Sequence, residues 1–386
     1  MAGIEEQDIT AIEQNVTEDY LNWKANTIYL YDCMISYGLS WPSMTVQWFP
    51  LLKDSTTQNL LLGTHTSGAE QEHLLVAKVP FSLISNQDVD EDIPAVEIFK
   101  KLPHEGTINK ARYMPQNVDI VATQSSLGEI NIYDLKEIDK CIHTFKPHTQ
   151  EGYGLSWNPL TSGYLLSASN DSSICIWDFN SKSVVSSVKE ETGGVQDVAW
   201  KDSNIFCSAN ENNTALLWDK RSIEKPCGIL KGHDKCVNCV DFNKINEHIL
   251  ATGSTDCTIA IWDLRNTNYK QCALEQHIDE VITAAWSPHK ESLLASGDRG
   301  GRVMVWDLTR LGEEISKEDA KDGMPELIFT HGGHISSVAD LGWNPELELF
   351  IASVDQRNVL HIWQMDKGIY EEVNDDITNI KDEDVE

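Results

Sequence analysis

Short runs of apolar and β-branched residues, separated by turn residues, recur along most of the chain. In one such unit Ile249–Ser254 and residues 258–262 flank the turn at 255–257. Runs of this length and composition predict β-strands joined in antiparallel pairs. The same strand–turn–strand pattern returns at residues 165–177, 293–306 and 349–363. The pattern therefore predicts an all-β protein built from repeated hairpins.

The repeat has a period near 44 residues. Four tryptophans are each followed by aspartate, and an aromatic residue holds the same place in two further units. The six aromatic residues are Tyr133, Trp177, Trp218, Trp262, Trp306 and Trp363. The intervals between them are 44, 41, 44, 44 and 57 residues. A period of about 40–45 residues that ends in Trp-Asp is typical of WD40 propeller blades.

A second aromatic residue and a histidine keep fixed distances from this position. In five of the six units an aromatic residue lies 20 positions earlier, and a histidine lies nine positions before it. These histidines are His104, His148, His233, His277 and His334. In the unit that ends at Trp218, Trp200 lies only 18 positions earlier and Glu191 replaces the histidine. We assign the histidines to buried hydrogen-bond networks rather than to a metal site.

A seventh unit is indicated near the N-terminus, where residues 59–64 and 73–79 form two more apolar runs. Residues 44–48 are expected to pair with the last blade, because such a pairing closes the ring without an exposed edge. We therefore predict a seven-bladed WD40 propeller over residues 41–370.

Ahead of the propeller, apolar residues are spaced by three or four positions: Ile9, Ile12, Val16, Tyr20 and Trp23. This spacing predicts an amphipathic helix. Residues 1–40 are thus expected to form a helix and a connector that dock on the propeller. The following segment, 28–31, is more apolar than one docking face requires.

The last interval is longer than its neighbours by 57 − 44 = 13 residues, and the excess falls at 311–326, before the last blade. This insertion holds six acidic residues and two lysines. Long loops on a regular scaffold commonly bind partners, although a merely solvated acidic loop is the alternative. The segment 88–92 and the tail 371–386, with eight acids and one lysine, are predicted to be disordered.

The net charge is −31, from 30 basic and 61 acidic residues. Such a surface repels nucleic acid and anionic lipid and attracts a basic protein. The alternative, that the acids only keep the chain soluble, stays open. The nine cysteines and the absence of a long apolar run favour a reducing compartment and no membrane span.

Motifs for catalysis are missing from the sequence. Cys236 and Cys239 form the one Cys-x-x-Cys pair, without a second pair at zinc-binding spacing. There is no Gly-x-Ser-x-Gly elbow, no phosphate-binding loop and no His-Glu-x-x-His. We expect no enzyme activity, no cofactor and no metal.

Several segments together resemble one propeller family over essentially the whole chain. They are residues 26–32, 41–43, 63–67, 111–116, 151–159, 318–323 and 331–334. The chain resembles the retinoblastoma-binding-protein-like histone chaperones. That group includes the second subunit of type B histone acetyltransferase and subunits of chromatin assembly factor, deacetylase and Polycomb complexes.

The resemblance implies a groove between the N-terminal helix and the acidic insertion, which holds the first helix of histone H4. It implies apolar contacts from Tyr29, Leu30, Phe329 and Ile369. It implies acidic contacts from Glu318, Asp319 and Asp322. A basic amphipathic helix fits such a groove, because its apolar face covers aliphatic side chains while its Lys and Arg meet carboxylates.

The resemblance also implies a second site around the channel, for the N-terminal tail of histone H3. Its matching residues are Asn109, Glu151, Tyr153, Asn238, Glu280 and Asn358. Acids usual in the family are replaced at Thr107, Gln196, Gln356 and Arg357. We therefore expect weak binding of a histone H3 tail at this site.

The function that follows is a non-catalytic subunit that holds histone H4, within a histone H3–H4 dimer, in the nucleus and cytoplasm. The expected partner is the catalytic subunit of type B histone acetyltransferase. Chromatin assembly factor, deacetylase or Polycomb complexes of the same family are alternatives. A substrate receptor of a cullin-type ubiquitin ligase is another, because residues 218–221 and 262–265 resemble Trp-Asp-x-Arg boxes.

Overall fold

The structure is a computed structural model, and it describes residues 20–51, 55–80, 95–136, 140–189, 193–313 and 324–370. Within this part, a helix, α1, occupies residues 20–30 and leads directly into strand β1 (Tyr31–Gly38). Ile9, Ile12 and Val16 of the predicted helical stripe lie outside the described residues. No helix in the described ranges is long and apolar enough to cross a membrane.

The strands that follow form four-stranded antiparallel blades. The first blade contains β2 (Val46–Trp48), β3 (Thr57–Gly63), β4 (Glu72–Pro80) and β5 (Glu97–His104). The second contains β6 (Ile108–Met114), β7 (Asn117–Ser125), β8 (Ile130–Asp134) and β9 (Cys141–Phe145). The third contains β10 (Gly154–Trp157), β11 (Tyr164–Ala168), β12 (Ser173–Asp178) and β13 (Ser183–Lys189).

The next three blades have the same order. The fourth contains β14 (Val195–Trp200), β15 (Ile205–Asn210), β16 (Thr214–Asp219) and β17 (Gly228–Lys231). The fifth contains β18 (Val237–Phe242), β19 (Ile249–Ser254), β20 (Ile259–Asp263) and β21 (Cys272–Leu274). The sixth contains β22 (Val281–Trp286), β23 (Leu293–Asp298), β24 (Val303–Asp307) and β25 (Leu327–His331), with a 3₁₀ helix at Leu308–Arg310.

The seventh blade joins the two ends of the chain. It contains β26 (Val338–Trp343), β27 (Phe350–Asp355) and β28 (Val359–Met365), and its outer strand is β1. The prediction of seven WD40 blades is confirmed. The acidic insertion interrupts the connection from β24 to β25 in the sixth blade, and its residues 314–323 lie outside the described residues.

The predicted closure of the ring was wrong. Residues 44–48 do not pair with the last blade, because β2 pairs with β3 as the inner strand of the first blade. The last blade is completed by β1, which pairs along β28 from Tyr31↔Met365 to Gly38↔Val359. Its burial alternates at the start, with Tyr31 and Cys33 buried, so it fits a blade edge. This closing strand lies within the segment that the sequence assigned to the helix and connector.

The repeated histidines have the structural role that the sequence predicts. In the sixth blade the indole Nε1 of Trp306 donates to Ser296 Oγ at 2.8 Å, and Ser296 lies 2.7 Å from His277 Nε2. The other ring nitrogen of His277 lies 2.8 Å from Asp298. The same His–Ser/Thr–Trp arrangement occurs at His148–Ser167–Trp177, His233–Thr252–Trp262 and His334–Ser353–Trp363. These networks join the second and third strands of a blade to the loop before its first strand.

Carboxylates on inner strands hold neighbouring blades together. Asp197 accepts from the backbone N–H of Val240 at 3.1 Å, and Asp241 accepts from that of Trp286 at 2.9 Å. At the point of closure, Asp340 accepts from the N–H of Val46 at 2.9 Å. The inner strands surround a central cavity of about 600 Å³.

Candidate functional site

Helix α1 has two different faces. Its inner face carries Tyr20, Trp23, Thr27 and Leu30, which are half-buried and follow the three-four spacing of a helix. Its outer face exposes large apolar side chains: Leu21 is 58 %, Ile28 75 % and Tyr29 73 % exposed. A docked helix normally turns its polar side to water, so this outer face presents apolar surface beyond what docking needs.

Leu30 lies beside an apolar surface from three other segments. Ile328 and Ile369 are half-buried like Leu30, and all three pack against the same buried cluster, which includes Phe329. The backbone N–H of Asp366 donates to the carbonyl of Leu30 at 3.0 Å, which ties the end of α1 to the C-terminal turn. The structure thus brings Leu30, Phe329 and Ile369 together as the sequence predicts.

Blade topology places the acidic insertion at the same end of the ring as this surface. In each blade the third strand runs away from the end at which the first strand begins, so the third-to-fourth connection lies at the opposite end. The insertion is the third-to-fourth connection of the sixth blade. Helix α1 enters β1, the fourth strand of the seventh blade, at that same end. Leu311 and Met324, which flank the undescribed part of the insertion, are 38 % and 50 % exposed.

The predicted groove residues differ in what the structure says of them. Phe329 is only 6 % exposed and packs edge-on against Tyr31, with ring centroids 5.2 Å apart, so it forms the floor under the surface residues. Tyr29 lies on the outer face of α1. Glu318, Asp319 and Asp322 lie outside the described residues, so their role in a groove stays a prediction.

The sequence analysis did not single out Leu21 and Ile28 as contact residues. They are seven positions apart, which places them on one side of a helix. The available signal was therefore a second apolar row on α1, offset from the stripe through Tyr20 and Trp23. It is weak in the sequence because exposure, not spacing, distinguishes the two rows.

The six residues matched to a histone H3 tail site lie on loops or strand ends at the opposite end of the ring. Two of them are engaged in holding blades together: Asn109 donates to the carbonyl of Gly152 at 3.1 Å, and Asn238 to that of Val281 at 2.9 Å. Glu280 pairs with Arg299 at 3.3 Å.

The remaining H3-site residues are less tied to the ring. Burial, reinforced by the charge of Glu151, raises the pKa of Tyr153 above its ordinary value, and Asn358 sits in the β27–β28 turn with a φ of 70°. The site itself stays a prediction.

The two Trp-Asp-x-Arg boxes fold back on themselves. Arg221 contacts Asp219 at 2.6 Å, and Arg265 contacts Asp263 at 2.5 Å. Hydrogen bonds from these arginines lower the pKa of each aspartate to about 2. Each arginine side chain remains 67 % exposed, so the pairs order a surface turn at the base of their blades.

Three buried histidines, His331, His334 and His361, are the described group whose ligand atoms come closest to a metal-site arrangement, within 4.8 Å of one another. The rings of His334 and His361 are stacked, with centroids 4.4 Å apart and planes at 28°. Because nitrogen lone pairs lie in the ring plane, stacked rings do not aim at a common point. The nitrogens are instead occupied by hydrogen bonds, including His331 Nε2 to His361 Nδ1 at 3.0 Å.

Comparison with known families agrees with this architecture. Residues 139–178, 224–263 and 269–307 match the WD domain, G-beta repeat. The chain is a seven-bladed WD40 propeller. Residues 18–82, which include α1, β1 and most of the first blade, match the family described as histone-binding protein RBBP4 or a component of the CAF1 complex. This match supports the RBBP4-like family of WD40 histone-binding proteins and coincides with the helix that exposes an apolar face.

Proposed function

We propose that this WD40 propeller is a non-catalytic subunit that holds the first helix of histone H4, within a histone H3–H4 dimer. The observation that carries the proposal is the outer face of α1, with Leu21, Ile28 and Tyr29 exposed, in a segment that matches a histone-binding family. An amphipathic helix docks on such a surface through its apolar side. The net charge of −31 favours a basic guest and speeds its encounter.

The acidic insertion supplies the other wall of the groove in this proposal. Asp319 and Asp322 pair with basic side chains of the histone helix, while Leu30 and Ile369 contact its apolar side. A charge-assisted hydrogen bond contributes about 1.5–3 kcal/mol, so a few such pairs outweigh many exposed rim charges.

Charge reversal in the insertion tests this groove. The double variant Asp319→Lys plus Asp322→Lys is expected to weaken binding of a histone H4 first-helix peptide by at least about 100-fold, because two attractive pairs become repulsive. Fluorescence anisotropy measures the affinity, and circular dichroism checks that the fold is kept.

The matched control is Glu224→Lys plus Glu247→Lys, which changes net charge equally at exposed acids on other blades. The control is expected to change the affinity only slightly. Equal loss in both variants would reduce the groove to general electrostatic attraction, and unchanged affinity in the first would remove it.

For its complex, we propose the type B histone acetyltransferase, in which this chain presents histone H4 to the catalytic subunit, in nucleus and cytoplasm. The motif that implies this role is the groove, while the replaced acids at Gln196 and Gln356 weaken the other family site. Affinity purification with mass spectrometry distinguishes the partners. Recovery of chromatin assembly factor, deacetylase or Polycomb subunits instead would reassign the complex, and a ubiquitin-ligase adaptor without histones would favour the receptor alternative.

A further inference from the structure

A line of hydrogen bonds runs from α1 into the seam between the sixth and seventh blades. Trp23 Nε1 donates to Tyr31 Oη at 2.7 Å, and Tyr31 Oη lies 2.7 Å from His331 Nδ1. His331 Nε2 lies 3.0 Å from His361 Nδ1, and His361 Nε2 lies 3.1 Å from Ser36 Oγ. We call these five residues the hydrogen-bond chain. It connects the helix, β1, β25 and β28.

The chain has a defined direction. An indole nitrogen can only donate, so Tyr31 accepts from Trp23. The hydroxyl hydrogen of Tyr31 then needs an acceptor, and among its hydrogen-bond partners this is His331 Nδ1. A neutral His331 must carry its proton on Nε2 and donate to His361 Nδ1, and His361 in turn donates from Nε2 to Ser36. The opposite direction would leave the buried hydroxyl of Tyr31 without an acceptor, which is costly.

The charges around the chain keep it neutral. Burial lowers the pKa of His331 and of His361 well below the ordinary value, and the nearby His334 lowers both further. Burial also raises the pKa of Tyr31 well above its ordinary value. The carboxylate facing this cluster is Asp355, 3.4 Å from His334 Nδ1. The chain therefore keeps one proton arrangement at neutral pH.

Trp23 is the main anchor of α1 in the described part of the chain. Its ring stacks on His361 with centroids 5.7 Å apart and meets His331 edge-on at 5.5 Å. The ring lies over Gly333, where an added Cβ would come within 2.5 Å of Trp23 Cζ2 and 2.8 Å of His361 Cε1. Gly333 thus leaves the space into which the indole fits.

We infer that Trp23, Tyr31, His331, His361 and Ser36 are positioning residues that fix α1 on the propeller and thereby set the place and tilt of the apolar wall for the histone helix. The inference rests on the proposed function, because α1 is one wall of the proposed groove. None of the five touches the histone. They act by joining the indole of α1 to a directional network that crosses two blades.

Removal of one hydroxyl tests the chain. Tyr31→Phe keeps the ring against Phe329 but leaves Trp23 and His331 without their shared partner. We expect amide hydrogen exchange of residues 20–30 to become about tenfold faster or more, and binding of the histone H4 peptide to weaken several-fold. Tyr133→Phe is the matched control, because Tyr133 is also buried and loses one hydrogen bond, to the carbonyl of Pro103, in the second blade. The control is expected to leave both readouts unchanged.

A second variant acts from the other side of the interface. Gly333→Ala leaves every polar group of the chain in place but fills the space under Trp23. It is expected to speed exchange over residues 20–30 like Tyr31→Phe. Unchanged exchange in both variants would overturn the inference, as would a loosened helix that binds the peptide with wild-type affinity.

The proton positions supply a readout that simple packing would not set. Long-range ¹H–¹⁵N correlation spectra of ¹⁵N-histidine-labelled protein at pH 7 should show His331 and His361 as Nε2–H tautomers, with assignment by His→Gln substitution. An Nδ1–H tautomer at His331 would overturn the assigned direction. If the wild-type chain binds no histone H4 peptide, the proposed function fails, while the exchange and tautomer results still decide whether the chain anchors α1.

Discussion

At the residue scale, one hydroxyl group carries much of the order of a blade. Ser296 is fully buried and contacts both Trp306 and His277, so the indole, the hydroxyl and the imidazole fix one another. Each group would cost free energy if it were buried without a partner. The second blade has Tyr133 in place of the tryptophan, and its hydroxyl reaches the carbonyl of Pro103 instead. The aromatic place is thus kept, and the hydrogen-bond partner changes with the side chain.

Ser296→Ala is expected to lower the free energy of unfolding by about 3 kcal/mol, because two buried polar groups lose their partner. Urea denaturation followed by tryptophan fluorescence measures this loss. Ser187→Ala, at an exposed position on β13, is the control and should have little effect. A loss at Ser296 no larger than at Ser187 would show that the network contributes little to stability.

At the scale of elements, α1 is defined by two apolar rows with different roles. The inner row, through Trp23 and Leu30, is taken up by the propeller. The outer row, through Leu21 and Ile28, is left in water, where it gives little to the stability of the isolated chain. Side chains that are exposed in the free protein and covered in a complex affect binding more than folding.

Ile28→Ala is therefore expected to leave the free energy of unfolding within about 0.5 kcal/mol of wild type and to weaken histone H4 peptide binding about tenfold. Isothermal titration calorimetry measures the affinity. Ile245→Ala, at another exposed isoleucine far along the chain, should change neither quantity. A peptide affinity unaffected by Ile28→Ala would place the guest helix elsewhere.

At the scale of the whole molecule, the ring closes through a strand and a buried charge. Asp340 on β26 accepts from Val46 of the first blade and pairs with Lys110 at 3.1 Å and Arg112 at 3.0 Å of the second. Burial raises the pKa of Asp340, but the two cations and the hydrogen bonds outweigh it and hold the pKa below 3.8. The stabilisation is complete above pH 3.8 and is lost as pH falls through the lowered value.

Asp340→Asn is expected to cost about 3 kcal/mol at pH 7, since it leaves two partly buried cations without their carboxylate. It should also flatten the loss of stability between pH 4 and lower pH. Chemical denaturation across pH measures both effects. Asp119→Asn, which breaks the exposed pair with Lys136, is the control and should have little effect. A wild-type pH profile in the Asp340 variant would contradict this assignment.

The blade repeat could be predicted because every blade solves the same local problem. A four-stranded sheet needs apolar alternation, a turn, and a His–Ser/Thr–Trp network, and each of these has a fixed spacing in sequence. The helical stripe through Tyr20 and Trp23 was legible for the same reason. Likewise, the excess of acids and the 13-residue insertion needed only counting.

The remaining features depend on contacts between residues far apart in the chain. Whether 31–38 or 44–48 closes the ring is decided by which strand meets β28, and both segments have strand-like patterns. The exposure of Ile28 depends on how α1 is seated, which Trp23, Gly333 and His361 set across more than 300 residues. Spacing along the chain determines the elements of this protein. Long-range packing and hydrogen bonding determine which face of each element is left for a partner, because burial is a property of the assembled ring.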